Sequence, residues 1–314
     1  MVPFYPLVRN SHLQTVLAHY WKRPDPDAAH PVERRLFRTE PDVQVLVLSQ
    51  RPVGEARGEV VMVHGLEGSG EAAYMRSLAA AALHEGFAAH RFHMRTCGGT
   101  ETLCNTLYHA GLTGDLREVL RQLRAEGCGP AFLVGFSLGG NVVLKLAGEL
   151  GDAANRLVRG VCAVSVPLDL AACARRIGEP DNRIYETRFV RRMRNRLCAT
   201  GRYRREEFDR LRSIVALDDR FTAPSFGFGN AANYYRTQSS LGYLEGVRVP
   251  TLLIQAKDDI FIPFGIFDSP TLRSNPCIEL LATEHGGHLG FLGRRPHRLW
   301  LDEAIMNWVK SRNG

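Results

Sequence analysis

One stretch, from Phe132 to Leu146, limits what this chain can fold into more than any other. It begins with the apolar run Phe132-Leu133-Val134, turns through Gly135-Phe136-Ser137-Leu138-Gly139-Gly140, and continues with apolar residues at helical spacing. A strand, a tight turn with glycine two residues before and two after a serine, and a helix are the context of a nucleophile elbow. Such a turn exposes the hydroxyl of Ser137 at the carboxyl edge of a sheet. The alternative interpretation is a strand-to-helix turn that needs glycine only for packing.

The length and composition indicate an ordinary globular chain. Its 314 residues are 45% hydrophobic and 23% charged, so one domain with an insertion is at least as consistent as two domains. Two prolines interrupt the first residues and no apolar run of a signal peptide follows. Seven scattered cysteines without a C-x-x-C pair favour free thiols in a reducing compartment. We therefore expect a cytoplasmic protein that has no membrane-spanning segment.

The charge of the chain is moderately basic. A net charge of +7 favours anionic partners slightly and does not indicate nucleic-acid binding. Eight arginines fall between Arg188 and Arg205. Peripheral contact with an anionic membrane surface is one interpretation of this arginine-rich run, and a solvated, salt-bridged helix face is the other. The sequence alone does not predict an oligomeric state.

Strand-like runs alternate with helical patterns over most of the chain. This alternation predicts an α/β fold with a mostly parallel central sheet that is flanked by helices on both faces. The predicted strands are Arg35–Thr39, Val43–Ser49, Val60–His64, Phe87–His93, the run that begins at Phe132, Val158–Val166, Thr251–Ala256 and Ile278–Ala282, and the clearest helices are 71–85, 114–126 and 296–312.

The segment from 167 to 249 interrupts that alternation. It is rich in helical patterns, contains no convincing strand, and begins and ends where the carboxyl edge of the sheet is expected. We expect a helical cap over the site, with a peripheral excursion as the alternative. The chain then divides into 1–166, an N-terminal arm and the first part of the core; 167–249, the cap; and 250–314, the rest of the core. The aromatic residues of the cap that are candidates to line an acyl tunnel are Phe226, Phe228, Tyr234 and Tyr235.

A serine hydroxyl needs a base to remove its proton and an acid to hold that base in one tautomer. The chain supplies all three in the order serine, acid, histidine that is typical of this kind of elbow. Asp258 and Asp259 follow the strand 251–256, and His288 stands in a glycine loop after the last strand. His288 is the predicted base, and its glycines are expected to let the imidazole swing over the elbow. Asp259 is preferred as the acid, with Asp258 as the alternative.

Backbone amides are expected to stabilise the oxyanion that forms during attack on an ester. The amide of Leu138, at the start of the helix, and the amide of Leu66, in the loop His64-Gly65-Leu66-Glu67-Gly68-Ser69-Gly70, are the candidates. A phosphate-binding loop is excluded because no G-K-[ST] follows. The histidines form no metal-binding motif, so we expect neither a metal nor a cofactor.

Several short motifs spread over nearly the whole chain match one family when they are taken together: Asn10–Thr15, His64-Gly65-Leu66, Tyr108–Leu116, Gly135–Gly140, Glu207–Asp209, Ala232–Tyr235, Asp258-Asp259 and His285–Phe291. With these motifs the chain resembles the α/β-hydrolase superfamily, in its YheT-type or AB hydrolase-4 branch, which is related to abhydrolase-domain esterases and phospholipases. One departure is His93-Met94-Arg95-Thr96-Cys97-Gly98-Gly99, where the family usually has N-x-R-G-C-x-G. That departure weakens any transfer of substrate from relatives.

The resemblance implies a serine hydrolase that cleaves carboxylic esters, short- to medium-chain acyl esters or glycerolipids, through a Ser-Asp-His triad and an acyl-enzyme. The partner is then a small-molecule or lipid ester. A thioesterase, an acyltransferase or a peptidase could use the same triad, and a non-catalytic lipid-binding module is the alternative outside enzymes.

Overall fold

The computed structural model describes residues 2–313, which form one eight-stranded sheet in the order β1-β2-β4-β3-β5-β6-β7-β8. The two edge pairings β1–β2 and β2–β4 are antiparallel, and all the others are parallel. The strands are β1 (Glu33–Glu40), β2 (Val43–Gln50), β3 (Glu59–Val63), β4 (Ala88–Phe92), β5 (Ala131–Phe136), β6 (Val158–Val164), β7 (Thr251–Ala256) and β8 (Ile278–Thr283). The predicted α/β class with a mostly parallel sheet is confirmed.

Helices cover both faces of the sheet, as the near-continuous apolar strands require. They are α1 (Ser11–Tyr20), α2 (Ala73–His84), α3 (Gly114–Ala125), α4 (Leu138–Leu150), α5 (Leu170–Ile177), α6 (Arg183–Ala199), α7 (Ile214–Leu217), α8 (Ala223–Ser225), α9 (Ala231–Gln238), α10 (Pro270–Ser274) and α11 (Trp300–Ser311). One apolar cluster packs α2 and α11 on one face, and another packs α3, α4 and α10 on the other. The last helix begins at Trp300 rather than near 296, because residues 296–298 form a turn in which the Arg298 amide donates to the Pro296 carbonyl. The carbonyl of Arg298 in turn accepts from the amide of Gly293.

Residues 167–249 join β6 to β7 and hold α5 to α9 without a strand among them. Two small apolar clusters belong mainly to this segment, one around Phe208 and Phe221 and one around Tyr234 and Tyr235. Both ends of the segment belong to the main core instead: Leu168 and Cys173 at its start, and Leu244, Val247 and Val249 at its end. The middle of the segment therefore has its own packing, and its two ends pack into the core next to β6 and β7.

The turn between β5 and α4 is possible only with glycine at two positions. A Cβ at residue 135 would lie 2.4 Å from the carbonyl oxygen of Gly139, and one at residue 139 would lie 2.3 Å from the carbonyl oxygen of Val63. Between them Ser137 has φ 51° and ψ −120°, which an L-residue adopts only under strain. The strand and helix backbones thus approach so closely that Ser137 is forced out of the turn.

We predict that Gly139→Ala destabilises the fold, because the added methyl group meets rigid backbone of β3 rather than a movable side chain. The free energy of unfolding, measured by urea denaturation, should fall by about 3 kcal/mol or more. Gly129→Ala is the matched control, since a Cβ there meets nothing within 4 Å, and it should change stability by less than about 0.5 kcal/mol. Equal stability of the two variants would contradict the close approach described here.

Candidate functional site

Three of the sequence-predicted site residues stand at the carboxyl ends of strands in the same half of the sheet. Ser137 follows β5, Asp259 lies just after β7, and His288 lies after β8. Strands β5, β6, β7 and β8 are parallel neighbours in that order. Because the carboxyl ends of parallel strands share one edge, residues that are far apart in the chain meet there.

The structure brings these three side chains into one hydrogen-bonded chain. The Ser137 Oγ lies 3.0 Å from the His288 Nε2, and the His288 Nδ1 lies 3.0 Å and 3.1 Å from the two carboxylate oxygens of Asp259. A carboxylate only accepts, so Nδ1 bears the proton and Nε2 is free to accept from the serine hydroxyl. His288 and Asp259 are both buried. The arrangement can remove a proton from Ser137 and hold the resulting imidazolium.

The two adjacent aspartates have different contacts. Asp259 accepts from the amides of Phe261 and Ile262, at 2.9 Å and 3.2 Å, besides facing His288. Asp258 instead accepts from the amide of Gly287 at 2.9 Å and lies 3.3 Å from His285. The structure therefore sets Asp259 against His288, and Asp258 against the backbone of the loop that holds His288.

The glycines of the His288 loop serve close packing, which differs from the expected swinging loop. A Cβ at Gly287 would lie 2.5 Å from the carbonyl oxygen of Ser11, and one at Gly290 would lie 2.2 Å from that of Gly286. The loop is also tied down by hydrogen bonds, because His288 donates its amide to the Thr15 Oγ1 and Leu289 donates to the Ser165 Oγ. The imidazole is thus held in place by contacts with α1 and with the end of β6.

The loop after β3 leaves the amide of Leu66 without a protein acceptor among residues 2–313. The amides around it are occupied: Gly65 donates to the Tyr74 hydroxyl, Glu67 to the Tyr108 hydroxyl, and Gly68 to the Gly65 carbonyl. A Cβ at residue 65 would lie 3.1 Å from the Ser137 Cβ, so this loop lies directly beside the serine. The free donor of Leu66 is therefore close to the Ser137 hydroxyl.

Leu138 is the first residue of α4, and its amide has no acceptor within its own helix. The amides at a helix N-terminus are positioned to stabilise negative charge. Both candidate oxyanion donors, Leu66 and Leu138, line the same cleft as Ser137 and His288.

This cleft has a volume of about 750 Å³, including the part open to solvent, and residues from the 167–249 segment form more than half of its lining. Tyr234 and Tyr235 are among them. Phe226 and Phe228 are not among them, and their rings pack 4.5 Å and 5.2 Å from the ring of His109. Burial lowers the pKa of His109 to about 3, so its imidazole is neutral.

Sequence reasoning missed a buried ion pair between the helical segment and the loop that contains Leu66. The Arg196 Nε lies 2.9 Å and 3.0 Å from the carboxylate oxygens of Glu67, and its Nη1 donates to the Thr96 Oγ1 at 2.9 Å. The guanidinium also lies 4.7 Å from the centre of the Tyr108 ring, and the Tyr108 hydroxyl donates to Glu67. Arg196 is one of eight arginines in its stretch, so no local signal distinguishes it.

A second buried carboxyl group, Asp218, lines the cleft and was also missed. It accepts from the Tyr235 hydroxyl at 2.7 Å and from the Thr222 Oγ1 at 2.8 Å. Burial raises the pKa of Asp218 to about 6. The two hydrogen bonds lower this pKa, but burial has the larger effect. Residues 218–222 form a π-helical turn, a feature that often occurs at functional sites.

The part of the chain that the structure describes contains no cluster of three metal-ligating side chains. In residues 2–313 we also find no helix of the length and apolarity needed to cross a membrane.

We predict that Arg196→Met strongly destabilises the protein, because it leaves the carboxylate of Glu67 buried without its partner. Loss of one member of a buried pair costs about 3–5 kcal/mol of unfolding free energy. The double variant Glu67→Gln, Arg196→Met should recover part of this loss, since no charge is then left buried. Urea denaturation measures all three proteins.

The control for that prediction is Arg176→Met, which removes an exposed pair with Asp181 from the same segment. Exposed pairs contribute about 1 kcal/mol or less. If the Arg176 and Arg196 variants lose the same free energy of unfolding, the Arg196–Glu67 pair stabilises the fold no more than an exposed pair does.

Comparison with known proteins agrees with the fold. Residues 60–300 match the sequence profile of the alpha/beta hydrolase family. The Escherichia coli (strain K12) protein YheT is 32% identical over 96% of this chain and 91% of its own length. The Saccharomyces cerevisiae monoacylglycerol lipase is 29% identical over 82% of this chain, but only over 60% of its own length.

Solved structures with the same fold are more distant in sequence. The Pyrococcus furiosus esterase Pf2001 superposes with a TM-score of 0.62 at 17% identity, covering 93% of this chain and 100% of that one. The motifs, the sheet order and the profile match together lead to one conclusion: the chain belongs to the alpha/beta hydrolase family, in the branch that contains YheT and the ABHD proteins.

Proposed function

We propose that this protein is a serine hydrolase that cleaves carboxylic esters, with Ser137 as nucleophile, His288 as general base and Asp259 as the acid that orients His288. The observation that supports this most directly is the hydrogen-bonded chain from the Ser137 Oγ through His288 to Asp259, whose first two members line the cleft. Relatives named monoacylglycerol lipase and phospholipase ABHD3 support the same class of reaction.

In the proposed mechanism the Ser137 Oγ attacks the ester carbonyl while the His288 Nε2 takes its proton. The tetrahedral intermediate places negative charge on the carbonyl oxygen, and the amides of Leu66 and Leu138 donate hydrogen bonds to it. Removing one such donor costs about 3–4 kcal/mol in a protease. His288 then gives its proton to the leaving alcohol. Water, activated by His288 in turn, hydrolyses the acyl-enzyme and restores Ser137.

The lining of the cleft favours an acyl chain as the part of the substrate held there. Leu170, Ala174, Ile177, Phe189 and Met193 all lie along the wall that helices α5 and α6 provide. Burial of each methylene of a substrate against such a wall contributes about 0.8 kcal/mol. We therefore propose short- to medium-chain acyl esters or glycerolipids as substrates, with the segment 167–249 as the cap that selects the chain length.

We predict that the protein hydrolyses p-nitrophenyl esters with an optimum at one acyl length between acetate and palmitate, and that Ser137→Ala abolishes this activity. The rate of p-nitrophenol release by the two proteins measures both points, and labelling by a fluorophosphonate reports on the serine independently of substrate choice. Circular dichroism confirms that the variant is folded. Equal rates in both proteins would exclude Ser137 as the nucleophile.

A second prediction separates the two aspartates. Asp259→Asn should lower kcat by about a thousandfold or more, because the equivalent loss in a serine protease costs about 10⁴. Asp258→Asn is the matched control: it alters only the contacts of Asp258 with Gly287 and His285, and activity should stay within about tenfold. The reverse order of the two effects would assign the acid to Asp258.

A further inference from the structure

Helix α1 exposes three large apolar side chains and buries a glutamine. Leu13, Val16 and Tyr20 are 54%, 40% and 75% exposed, whereas Gln14 and Ala18 are buried. The exposed positions lie three and four residues apart, so they share one face of the helix. A surface helix of a globular domain normally has the opposite arrangement. The outer face of α1 is therefore an apolar strip that residues 2–313 leave substantially exposed.

The inner face of α1 is fixed by contacts with the His288 loop. The Gln14 Nε2 donates to the Leu292 carbonyl at 2.9 Å, and the Thr15 Oγ1 accepts from the amide of His288 at 2.9 Å. Rotation of α1 to bury its apolar strip would break both hydrogen bonds. The strip is thus held outward by the packing of the loop.

The apolar strip continues onto the start of helix α6. His12 of α1 stacks on Tyr185 and lies 3.1 Å from its hydroxyl. The neighbour of Tyr185 in the chain, Ile184, is 83% exposed. The Arg188 Nη2 lies 3.0 Å from the His19 Nε2. These contacts join α1 and α6 into one surface, which we name the α1–α6 face: Leu13, Val16, Tyr20, Ile184, Arg188 and Arg192.

The charge around this face is basic. Arg188 contacts His19 of α1, and Arg192 stands four residues further along the same side of α6. Burial, and then the charges of both arginines, lower the pKa of His19. Arg188 and Arg192 are exposed, and neither forms a salt bridge within the described part of the chain. Arg9 and Lys22, just before and just after α1, are exposed as well.

We infer that the α1–α6 face docks on an anionic membrane surface. Exposed apolar and tyrosine side chains on one face of a helix insert at the level of lipid head groups, and flanking basic residues bind anionic lipid. A second copy of this chain fits less well, because a symmetric contact would bring the same arginines against each other. Docking is independent of the proposed ester hydrolysis, since it needs no reaction at Ser137.

The face also lies beside the candidate site. The Tyr185 ring is 5.0 Å from that of Phe261, and the Phe261 ring is 4.8 Å from that of His288. Phe189, one turn along α6 from Tyr185, lines the cleft. Docking would therefore bring the lipid surface to the seam between α1 and α6, close to the residues that hold an acyl chain in the proposed function.

The test is co-sedimentation with vesicles of phosphatidylcholine alone and of phosphatidylcholine with phosphatidylserine. Ser137→Ala is used throughout, so that no lipid is consumed. We expect binding to the anionic vesicles that weakens with added salt. Two double variants test the face. One replaces Leu13 and Tyr20 with serine, and the other replaces Arg188 and Arg192 with glutamine. Each should weaken binding to the anionic vesicles by about tenfold or more.

Two variants serve as controls. Val53→Ser removes an apolar side chain that is 95% exposed elsewhere on the surface. A double variant that replaces Arg204 and Arg205 with glutamine removes two exposed arginines outside the face. Both should bind as the parent does. Absence of vesicle binding, equal binding to the neutral vesicles, or unchanged binding by the two face variants would overturn the inference. A dimer in solution that dissociates when Leu13 and Tyr20 are replaced would also overturn it.

The docking inference and the proposed function can fail separately. When Ser137 is intact, the two face variants should hydrolyse a water-soluble ester at the rate of the parent protein, so a failure of docking leaves the proposed function untouched.

Discussion

The strained backbone of Ser137 is the constraint on which the rest of the structure depends. A residue with positive φ outside glycine costs about 1–3 kcal/mol and persists only where its surroundings enforce it. Here the enforcement comes from the carbonyls of Val63 and Gly139, which leave no room for a side chain at residues 139 and 135. The same close approach sets the loop after β3 beside the serine, so the geometry of the elbow also decides where the amide of Leu66 lies.

The features that the sequence predicts well are those determined by contiguous residues. Apolar runs specify the strands, and the right-handed connections of parallel strands fix which loops share an edge. Ser137, His288 and the aspartate pair could therefore be expected to meet at that edge. The choice between Asp258 and Asp259 could not be made in this way, because it depends on the course of one loop. In the structure the amides of Phe261 and Ile262 fold back onto Asp259, whereas Asp258 reaches Gly287.

Contacts between distant parts of the chain are where sequence reasoning failed. Arg196 and Glu67 are separated by 129 residues, and neither residue has a local pattern that predicts a buried partner. Phe226 and Phe228 have the composition expected of a tunnel lining, yet they pack on His109. In each case the tertiary packing of the segment 167–249 determines which residues these side chains contact. The apolar content of a helix alone does not determine which neighbour it packs against.

The polar side chains on the inner face of α1 are explained by the loop that α1 covers. Backbone groups that are buried must find hydrogen-bond partners, and the loop around His288 is rich in glycine, which contributes no side chain of its own to provide them. Gln14 supplies a donor and Thr15 an acceptor to that backbone, so the inner face of α1 carries polar side chains. With these polar side chains on its inner face, the larger apolar residues Leu13, Val16 and Tyr20 lie on the outside of this ten-residue helix. The position of His288 and the exposed apolar strip on α1 are thus two results of one packing arrangement.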